Sequence, residues 1–240
     1  MNRYWDDGFY SQPTTSELKR KLEASRKSAE KKGKVLEPVV IQGRRIANSW
    51  WGQAWCANLE RYADFESRLE RGKRYVKSGT VIDLKIEKGK IQAKVQGSRK
   101  TPYKVEIRIS PLSEERYQEV LGKCGRRVET LEKLLAGDFP VELKALFTER
   151  DGLVPSPREI SFSCSCPDWA LMCKHVAATL YGIGARLDEN PSLFFELRGI
   201  EVGRFIDVAI ANRVELMLKN AGRKSARMIR DEDVLELFGV

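Results

Sequence analysis

Three cysteines and one histidine form the pattern in this chain that most clearly indicates chemistry. Cys164, Cys166, Cys173 and His175 lie within twelve residues, and they include three of the five cysteines and the only histidine. The Cys-x-Cys pair places two thiolates on one side of a tight turn, and the Cys-x-His pair brings two more ligands back to complete a tetrahedron. A closed set of three sulfurs and one nitrogen favours one structural Zn²⁺ ion.

Buried free cysteines, which behave as small hydrophobic side chains, are the alternative explanation. Random placement would scatter five cysteines over 240 residues, whereas three of them cluster beside the single histidine. Such spacing favours a metal site. We expect the two remaining cysteines, Cys56 and Cys124, to be core or incidental thiols.

The same four ligands argue against catalysis. A catalytic zinc keeps one position open for water, whereas four protein ligands fill this one. His175 is used as a ligand, so no other histidine remains as a general acid or base. Asp168 lies beside the site, but its position after Pro167 is typical of a turn residue. We therefore expect a protein that is not an enzyme.

The residues around the ligands resemble the SWIM zinc finger. Pro167-Asp168-Trp169 follows the second cysteine, and Lys174-His175-Val176-Ala177 opens a helix. Similarity to prokaryotic SWIM finger proteins extends from about residue 45 to the carboxyl terminus, through Trp50-Trp51-Gly52, Gly72-Lys73-Arg74-Tyr75, Ser78-Gly79, Val95-Gln96-Gly97-Ser98-Arg99, Pro102-Tyr103, Leu197-Arg198-Gly199 and the segment from Asp231 to Gly239. The resemblance implies binding to nucleic acid or protein and association with helicases of the Swi/Snf type.

Composition and charge set limits on location and partners. The chain is 42% hydrophobic and has a formal net charge of +9, which favours polyanionic partners. No stretch approaches the roughly 18 apolar residues of a membrane helix. The amino terminus lacks the apolar segment of a signal peptide. Because the metal needs reduced thiolates, we expect a cytoplasmic protein.

Periodicity and chain breaks predict an α+β protein with four regions. Residues 1–45 form a basic amino-terminal arm with a helix from Glu17 to about Lys32, capped by Ser16. Residues 46–150 form an α+β domain in which a three-stranded antiparallel meander packs with helices. Residues 151–200 form a small zinc-stabilised ββα finger of the SWIM type, and residues 201–240 form a helical carboxyl-terminal tail.

The meander is predicted from three alternating segments with short connections, Ile82–Ile86, Ile91–Val95 and Tyr103–Ile109. Their shared apolar face can pack against a helix predicted from Ile46 to about Leu69.

Aromatic residues of that helix are predicted to belong to the core. Trp51, Trp55, Leu59 and Tyr62 recur on one face, which favours core packing over base stacking. Trp50, one step round the helix, is the better candidate for exposure.

Six cations are candidate nucleic-acid contacts. A basic stretch after the predicted helix contains Lys73, Arg74 and Lys77. The loop between the second and third predicted strands contains Arg99 and Lys100, and Lys174 lies between two metal ligands. Backbone amides, hydroxyls and cations in a loop can bind phosphates. The alternative is that these residues only form an ordinary hairpin loop, in which the same residue types are common. Lys174 either offsets the negative charge of the zinc centre or remains solvated.

Two functions fit these observations. The first is a nucleic-acid-binding protein, with DNA favoured over RNA, that acts with a Swi/Snf-type helicase; its affinity should fall steeply with salt and depend little on sequence. The alternative is a protein interaction adaptor whose finger docks a helicase or remodelling partner without touching nucleic acid. That alternative predicts salt-tolerant binding to the partner.

Overall fold

The computed structural model describes residues 13–60, 66–124, 144–148, 152–168, 170 and 172–221, and it has an α+β architecture. This confirms the fold class that the sequence predicts. The elements in chain order are α1 Thr15–Glu30, α2 Trp50–Glu60, α3 Glu66–Lys77, β1 Val81–Glu87, β2 Lys90–Val95, β3 Tyr103–Ile109, α4 Glu114–Cys124, α5 Lys144–Thr148, β4 Ile160–Cys164, α6 Lys174–Glu189, α7 Leu193–Leu197 and α8 Val202–Ala221.

The predicted meander is present, with its strands in the expected order. β1, β2 and β3 pair antiparallel, and Glu87 faces Lys90 across a two-residue turn. Gly89 in that turn has a φ of 65°, which favours glycine and matches the left-handed backbone of a tight hairpin. Alternate residues of β3 are buried, so the sheet has one apolar face.

The strand that precedes the first cysteine joins this same sheet. β4 pairs antiparallel with β3, with Ile160 opposite Ile109 and Cys164 opposite Val105, and the strand order is β1-β2-β3-β4. The finger segment therefore differs from a self-contained ββα unit, because the partner of its described strand comes from the meander. The physical reason is that β3 would otherwise present an edge of unpaired amides and carbonyls.

Helix α6 lies at the centre of the core. It packs against α2, α3, α7 and all four strands, and most of its length is buried. Its contact with α3 is close: a Cβ added at Gly72 would lie 2.5 Å from the Cβ of Ala177. A residue with a side chain at position 72 would force the two helices apart.

The helix predicted from Ile46 to about Leu69 begins at Trp50, and the structure describes helix on both sides of residues 61–65. α2 ends at Glu60 and α3 begins at Glu66, and residues 61–65, including Tyr62, lie outside the described part of the chain. α3 includes the basic stretch with Lys73, Arg74 and Lys77, and it continues the helical spacing to the turn before β1.

The tryptophans of α2 belong to the core, as predicted. Trp55 is fully buried and its indole donates a hydrogen bond to the carbonyl of Leu180, 2.9 Å away. The indole of Trp51 donates to the carbonyl of Leu187 at 3.0 Å. Both acceptors belong to α6, so the rings fix α2 on that helix. Trp50 and Trp51 are both half-buried and both pack against the core, so the expected exposure of Trp50 is not found.

Helix α1 begins two residues earlier than predicted. Thr14, and not Ser16, is the N-cap, because its hydroxyl accepts from the amide of Glu17 while the Glu17 carboxylate accepts from the Thr14 amide. This is a reciprocal capping box. Leu18 and Leu22 of the helix are buried. Lys21 donates to the carbonyl of Ser98 and Ser25 to the side chain of Gln96, so the helix is joined to the segment that follows β2.

Arg198 fixes the start of β4. Its guanidinium is buried, donates to the carbonyl of Ser110 at 2.9 Å, and pairs with the carboxylate of Glu159. Ser110 follows β3 and Glu159 precedes β4, so one side chain joins the ends of both strands. No helix in the described residues is long and apolar enough to span a membrane.

Candidate metal centre

The four predicted ligands converge at the junction of β4 and α6. Cys164 ends β4, Cys166 follows in a turn, Cys173 precedes α6 and His175 lies in its first turn. Their ligand atoms all lie within 4.8 Å of one another. The Nδ1 atom of His175 is 3.8 Å from the sulfur of Cys173 and 4.0 Å from that of Cys164.

These distances fit a single tetrahedral ion. Bonds of about 2.3 Å to sulfur and about 2.0 Å to nitrogen place a sulfur and a nitrogen ligand of a tetrahedron about 3.5 Å apart, and two sulfurs about 3.8 Å apart. The two sulfur–nitrogen separations of 3.8 and 4.0 Å are therefore within about 0.5 Å of the tetrahedral value. The cluster of Cys164, Cys166, Cys173 and His175 can therefore hold a metal ion.

Backbone hydrogen bonds hold the turn between the cysteines against the sheet. Beyond the end of β4, the amide of Ser165 donates to the carbonyl of Lys104 at 3.0 Å. The hydroxyl of Ser165 accepts from the amide of Lys104 at 2.9 Å. Ser165 lies between Cys164 and Cys166, so both cysteines have a backbone position fixed by β3.

The start of α6 sets the protonation of the thiols. Cys173 is its N-cap, with extended backbone. Hydrogen bonds from the Cys164 thiol, from His175 and from the Val176 amide lower the pKa of Cys173, although burial acts in the opposite direction. The pKa of Cys164 is raised, because its proton is shared with Cys173 and the group is desolvated. One thiolate is thus already favoured, and a bound cation would displace the remaining protons.

His175 is held between two tyrosines. It is buried, its ring lies 4.3 Å from that of Tyr103 with a tilt of 33°, and it meets the ring of Tyr75 edge-on at 5.6 Å. Tyr103 begins β3 and Tyr75 belongs to α3, so the sheet and the neighbouring helix both fix the imidazole. With Nδ1 turned to the sulfurs, Nε2 finds no hydrogen-bond partner among the described residues.

Gly97 completes the wall behind the imidazole. A Cβ built on Gly97 would lie 2.8 Å from Nε2 of His175 and 2.5 Å from Cε2 of Tyr103. Only a glycine allows the β2–β3 loop to come this close. The loop predicted to hold phosphate therefore lies directly against the metal centre.

Two of the predicted cations flank the same tyrosines. The guanidinium of Arg99 lies 5.4 Å from the centre of the Tyr103 ring, and the ammonium of Lys174 lies 5.8 Å from that of Tyr75. Both distances are within reach of a cation–π contact. Lys100, next to Arg99, is exposed. The structure thus brings Arg99 and Lys174 close to the two rings that contact His175.

The three cations of α3 lie in different surroundings. Lys73 forms ion pairs with Glu60 at 2.9 Å and Glu70 at 3.0 Å. Although burial acts against it, the hydrogen bonds that its ammonium donates to these carboxylates raise the pKa of Lys73. Its ammonium joins α2 to α3. Arg74 and Lys77 are exposed at the end of the helix that contains Tyr75.

The remaining candidates behave as the sequence indicates. Cys56 is half-buried, and desolvation raises the pKa of its thiol to about 12, so the thiol is protonated and unreactive at neutral pH. The side chain of Cys124 lies outside the described part. Asp168 accepts from the amide of Ala170 at 3.2 Å, as a turn residue does, and pairs with Arg68 at 3.0 Å.

Sequence reasoning did not identify Tyr75, Tyr103, Gly97 and Ser165 as parts of the centre. The role of Ser165 could have been predicted, because a hydroxyl between two metal ligands can form a hydrogen bond with the backbone of a neighbouring strand. The tyrosines and the glycine reach His175 only through tertiary packing.

Comparison with known proteins shows similarity to an uncharacterized protein. The chain is 37% identical over 158 residues, 65% of its length, to uncharacterized protein Rv2102 of Mycobacterium tuberculosis (strain ATCC 25618 / H37Rv). The matched region spans 57% of that protein. No family model matches the chain, and no solved structure matches it. The likeness to SWIM finger proteins therefore stays a prediction.

Proposed function

We propose that this chain is a zinc-binding protein without enzymatic activity that binds nucleic acid, DNA in preference to RNA, and acts with a helicase of the Swi/Snf type. The preference for DNA and the helicase partner rest on the resemblance to SWIM finger proteins. The zinc and the nucleic acid rest on the chemistry of the metal centre and its surroundings.

Zinc is the metal that best suits the donor set. Three thiolates and one imidazole select a borderline ion with no demand for octahedral geometry, and such ligands hold Zn²⁺ in structural sites. Hard cations such as Mg²⁺ prefer oxygen ligands. Four protein ligands complete the coordination, so the proposed ion stabilises the fold and leaves no position for a reactive water.

The observation that supports nucleic-acid binding best is the contact of the Gly97–Lys100 loop with His175. The loop brings Arg99 over the ring of Tyr103, and Lys174 at the start of α6 lies over the ring of Tyr75. Both tyrosines contact His175, so two cations lie beside the metal centre. Cations held in this way bind the evenly spaced phosphates of a nucleic acid without reading its bases.

The test is a binding assay on single- and double-stranded DNA and RNA over a series of salt concentrations. The double variant Arg99→Gln/Lys174→Gln removes two positive charges beside the metal centre. A matched control, Lys88→Gln/Lys219→Gln, removes the same charge from lysines that are paired with Glu201 and Glu215 elsewhere on the surface.

We expect the first variant to lower affinity and the control to leave it within twofold of the wild type. If both variants bind alike, the metal centre is not the interface. If the wild type binds no nucleic acid at low salt, the proposed function is wrong.

An exposed apolar stripe on α8 favours the adaptor as a second candidate. Ile210, Val214, Met217 and Leu218 recur on one face of the helix and are 49–70% exposed. Such a stripe is typical of a protein contact. Salt-tolerant binding to a Swi/Snf-type helicase that Val214→Glu abolishes, together with no affinity for bare DNA, would support the adaptor instead.

A further inference from the structure

A second basic surface lies away from the metal ligands. A cavity of about 440 Å³ opens between the carboxyl-terminal half of α1, the chain that follows α1, and the ends of β2 and β3. Five lysines line it, and they are Lys32, Lys34, Lys94, Lys100 and Lys104. Only Lys100 belongs to the cations that the sequence singled out.

Four of the five lysines in this cavity have no ionic partner within the described residues. Its lining includes no carboxylate. Lys94 is paired with Asp83 at 2.5 Å, whereas Lys32, Lys34, Lys100 and Lys104 form no ion pair with any described residue. A sphere of this volume is about 9 Å across, close to the Debye length of about 8 Å, so salt screens the ammonium groups from one another only in part. An anion in the cavity would relieve that repulsion.

The other lining groups specify which anion fits. Ser28 and Thr101 offer hydroxyl donors beside the ammonium groups, whereas the Ser25 hydroxyl already donates to the side-chain oxygen of Gln96 at 2.7 Å. Lysine ammonium groups bind phosphate as point charges, and hydroxyls add hydrogen bonds to its oxygens. The lining contains no aromatic ring on which a base could stack. The cavity is therefore suited to phosphate groups and not to bases.

A groove on the outer face of the sheet continues the cavity toward the metal centre. It has a volume of about 510 Å³, shares Lys94 and Lys104 with the cavity, and reaches Ser163 and Ser165 on either side of Cys164. Its carboxylates are already paired, Asp83 with Lys94 and Glu106 with Arg108. A chain of phosphates could follow this path from α1 to the ligand turn.

We infer that the lysine cavity is a phosphate-binding site and that it holds backbone phosphates of the nucleic acid in a manner independent of base sequence. The claim that the phosphates belong to nucleic acid rests on the proposed function. The claim that the cavity binds phosphate does not, because any phosphate source of suitable size would test it.

The experiment uses the full chain and two probes. Inorganic pyrophosphate is titrated by isothermal calorimetry, and a labelled 20-nucleotide single-stranded DNA is titrated at several salt concentrations. The variant is Lys34→Gln/Lys104→Gln, whose side chains are both exposed and lie on opposite walls. Lys88→Gln/Lys219→Gln again serves as the control with the same loss of charge. Circular dichroism confirms that each variant is folded.

We expect the cavity variant to lose pyrophosphate binding and to weaken DNA binding about tenfold at 0.15 M salt, because two contacts with a single strand contribute a slope of about 1.4 to the salt dependence. The control should change neither probe. Two DNA strands of different sequence should be affected equally.

The outcomes separate the two claims. Pyrophosphate bound by the wild type and lost in the cavity variant, with no DNA bound by either, would support the phosphate site and overturn the proposed function. DNA bound equally by the cavity variant and the control would overturn the cavity and leave nucleic-acid binding intact. Neither probe bound by the wild type would overturn both.

Discussion

Replacing Gly97 with alanine tests whether the β2–β3 loop fixes the metal ligand His175. The added Cβ would lie 2.5 Å from Cε2 of Tyr103 and 2.8 Å from Nε2 of His175, whereas real Cβ contacts essentially never fall below 3.0 Å. Relief requires a shift of at least 0.5 Å at the Tyr103 contact and at least 0.2 Å at the His175 contact, the differences from 3.0 Å. Tyr103 and His175 are each only 2% exposed, so neither ring has free space to move into.

Both displacements act on the metal ligand, because the Tyr103 ring packs on the imidazole of His175 with 4.3 Å between the ring centres. Metal–ligand distances in a working site stay within about 0.2 Å of their ideal values. Removing a group that orients a ligand lowers metal affinity about 10- to 100-fold, which corresponds to about 1.4–2.7 kcal/mol. We expect Gly97→Ala to weaken zinc binding by this factor while the sheet stays folded, since the backbone of Gly97 has no positive φ.

Zinc affinity is measured by competition with a chromophoric chelator of known affinity, and circular dichroism checks the fold. Gly203→Ala is the matched control, because a Cβ at that position in α8 would meet no atom within 4 Å. It should bind zinc as the wild type does. An affinity of Gly97→Ala within twofold of that control would refute the argument that loop contact positions the imidazole.

Other substitutions test the ligands and the buried ion pair. Cys166→Ser and His175→Ala should each release zinc and loosen residues 160–190; full zinc content in elemental analysis with unchanged protease resistance would contradict this. Arg198→Met should lower the free energy of unfolding by about 3 kcal/mol in urea titrations, because it leaves the partly buried Glu159 without its partner. The pKa of Glu159 is lowered from 4.5, since hydrogen bonds from Arg198 and Ser156 outweigh burial. The stability it adds is present above about pH 4.5 and is lost as pH falls through the lower folded pKa, so Glu159→Gln should flatten the acid limb of a thermal unfolding series. An acid limb identical to that of the wild type would contradict the role of this pair.

The ligand set and the meander were predictable because both depend on local sequence. Four ligands within twelve residues need no tertiary information to be recognised. The strands follow from a two-residue alternation and short turns, which set their register as well. The N-cap of α1 could also have been predicted correctly, although Ser16 was predicted in its place. Thr14 is followed three residues later by Glu17, which is the sequence signature of a capping box.

The environment of the ligands was not predictable, because it depends on contacts between distant segments. Gly97, Tyr103 and Tyr75 precede His175 by 72 to 100 residues and come from a loop, a strand and a helix. The walls of the lysine cavity are as far apart in sequence: Lys34 follows α1, whereas Lys104 lies in β3. No periodicity within one element indicates that such residues will meet. Charge patterning within single segments therefore found Arg99 and Lys100 but missed most of the cavity.

Strand pairing also decides what the metal can stabilise. A ββα finger with its own hairpin would fold and unfold apart from the rest of the chain, and zinc would act on it alone. Here β4 is the outer partner of β3, and Ser165 extends that pairing into the ligand turn. His175 begins the helix on which α2, α3 and the sheet all pack. Metal binding should therefore stabilise the shared core as well as the finger, since the same helix and strand belong to both.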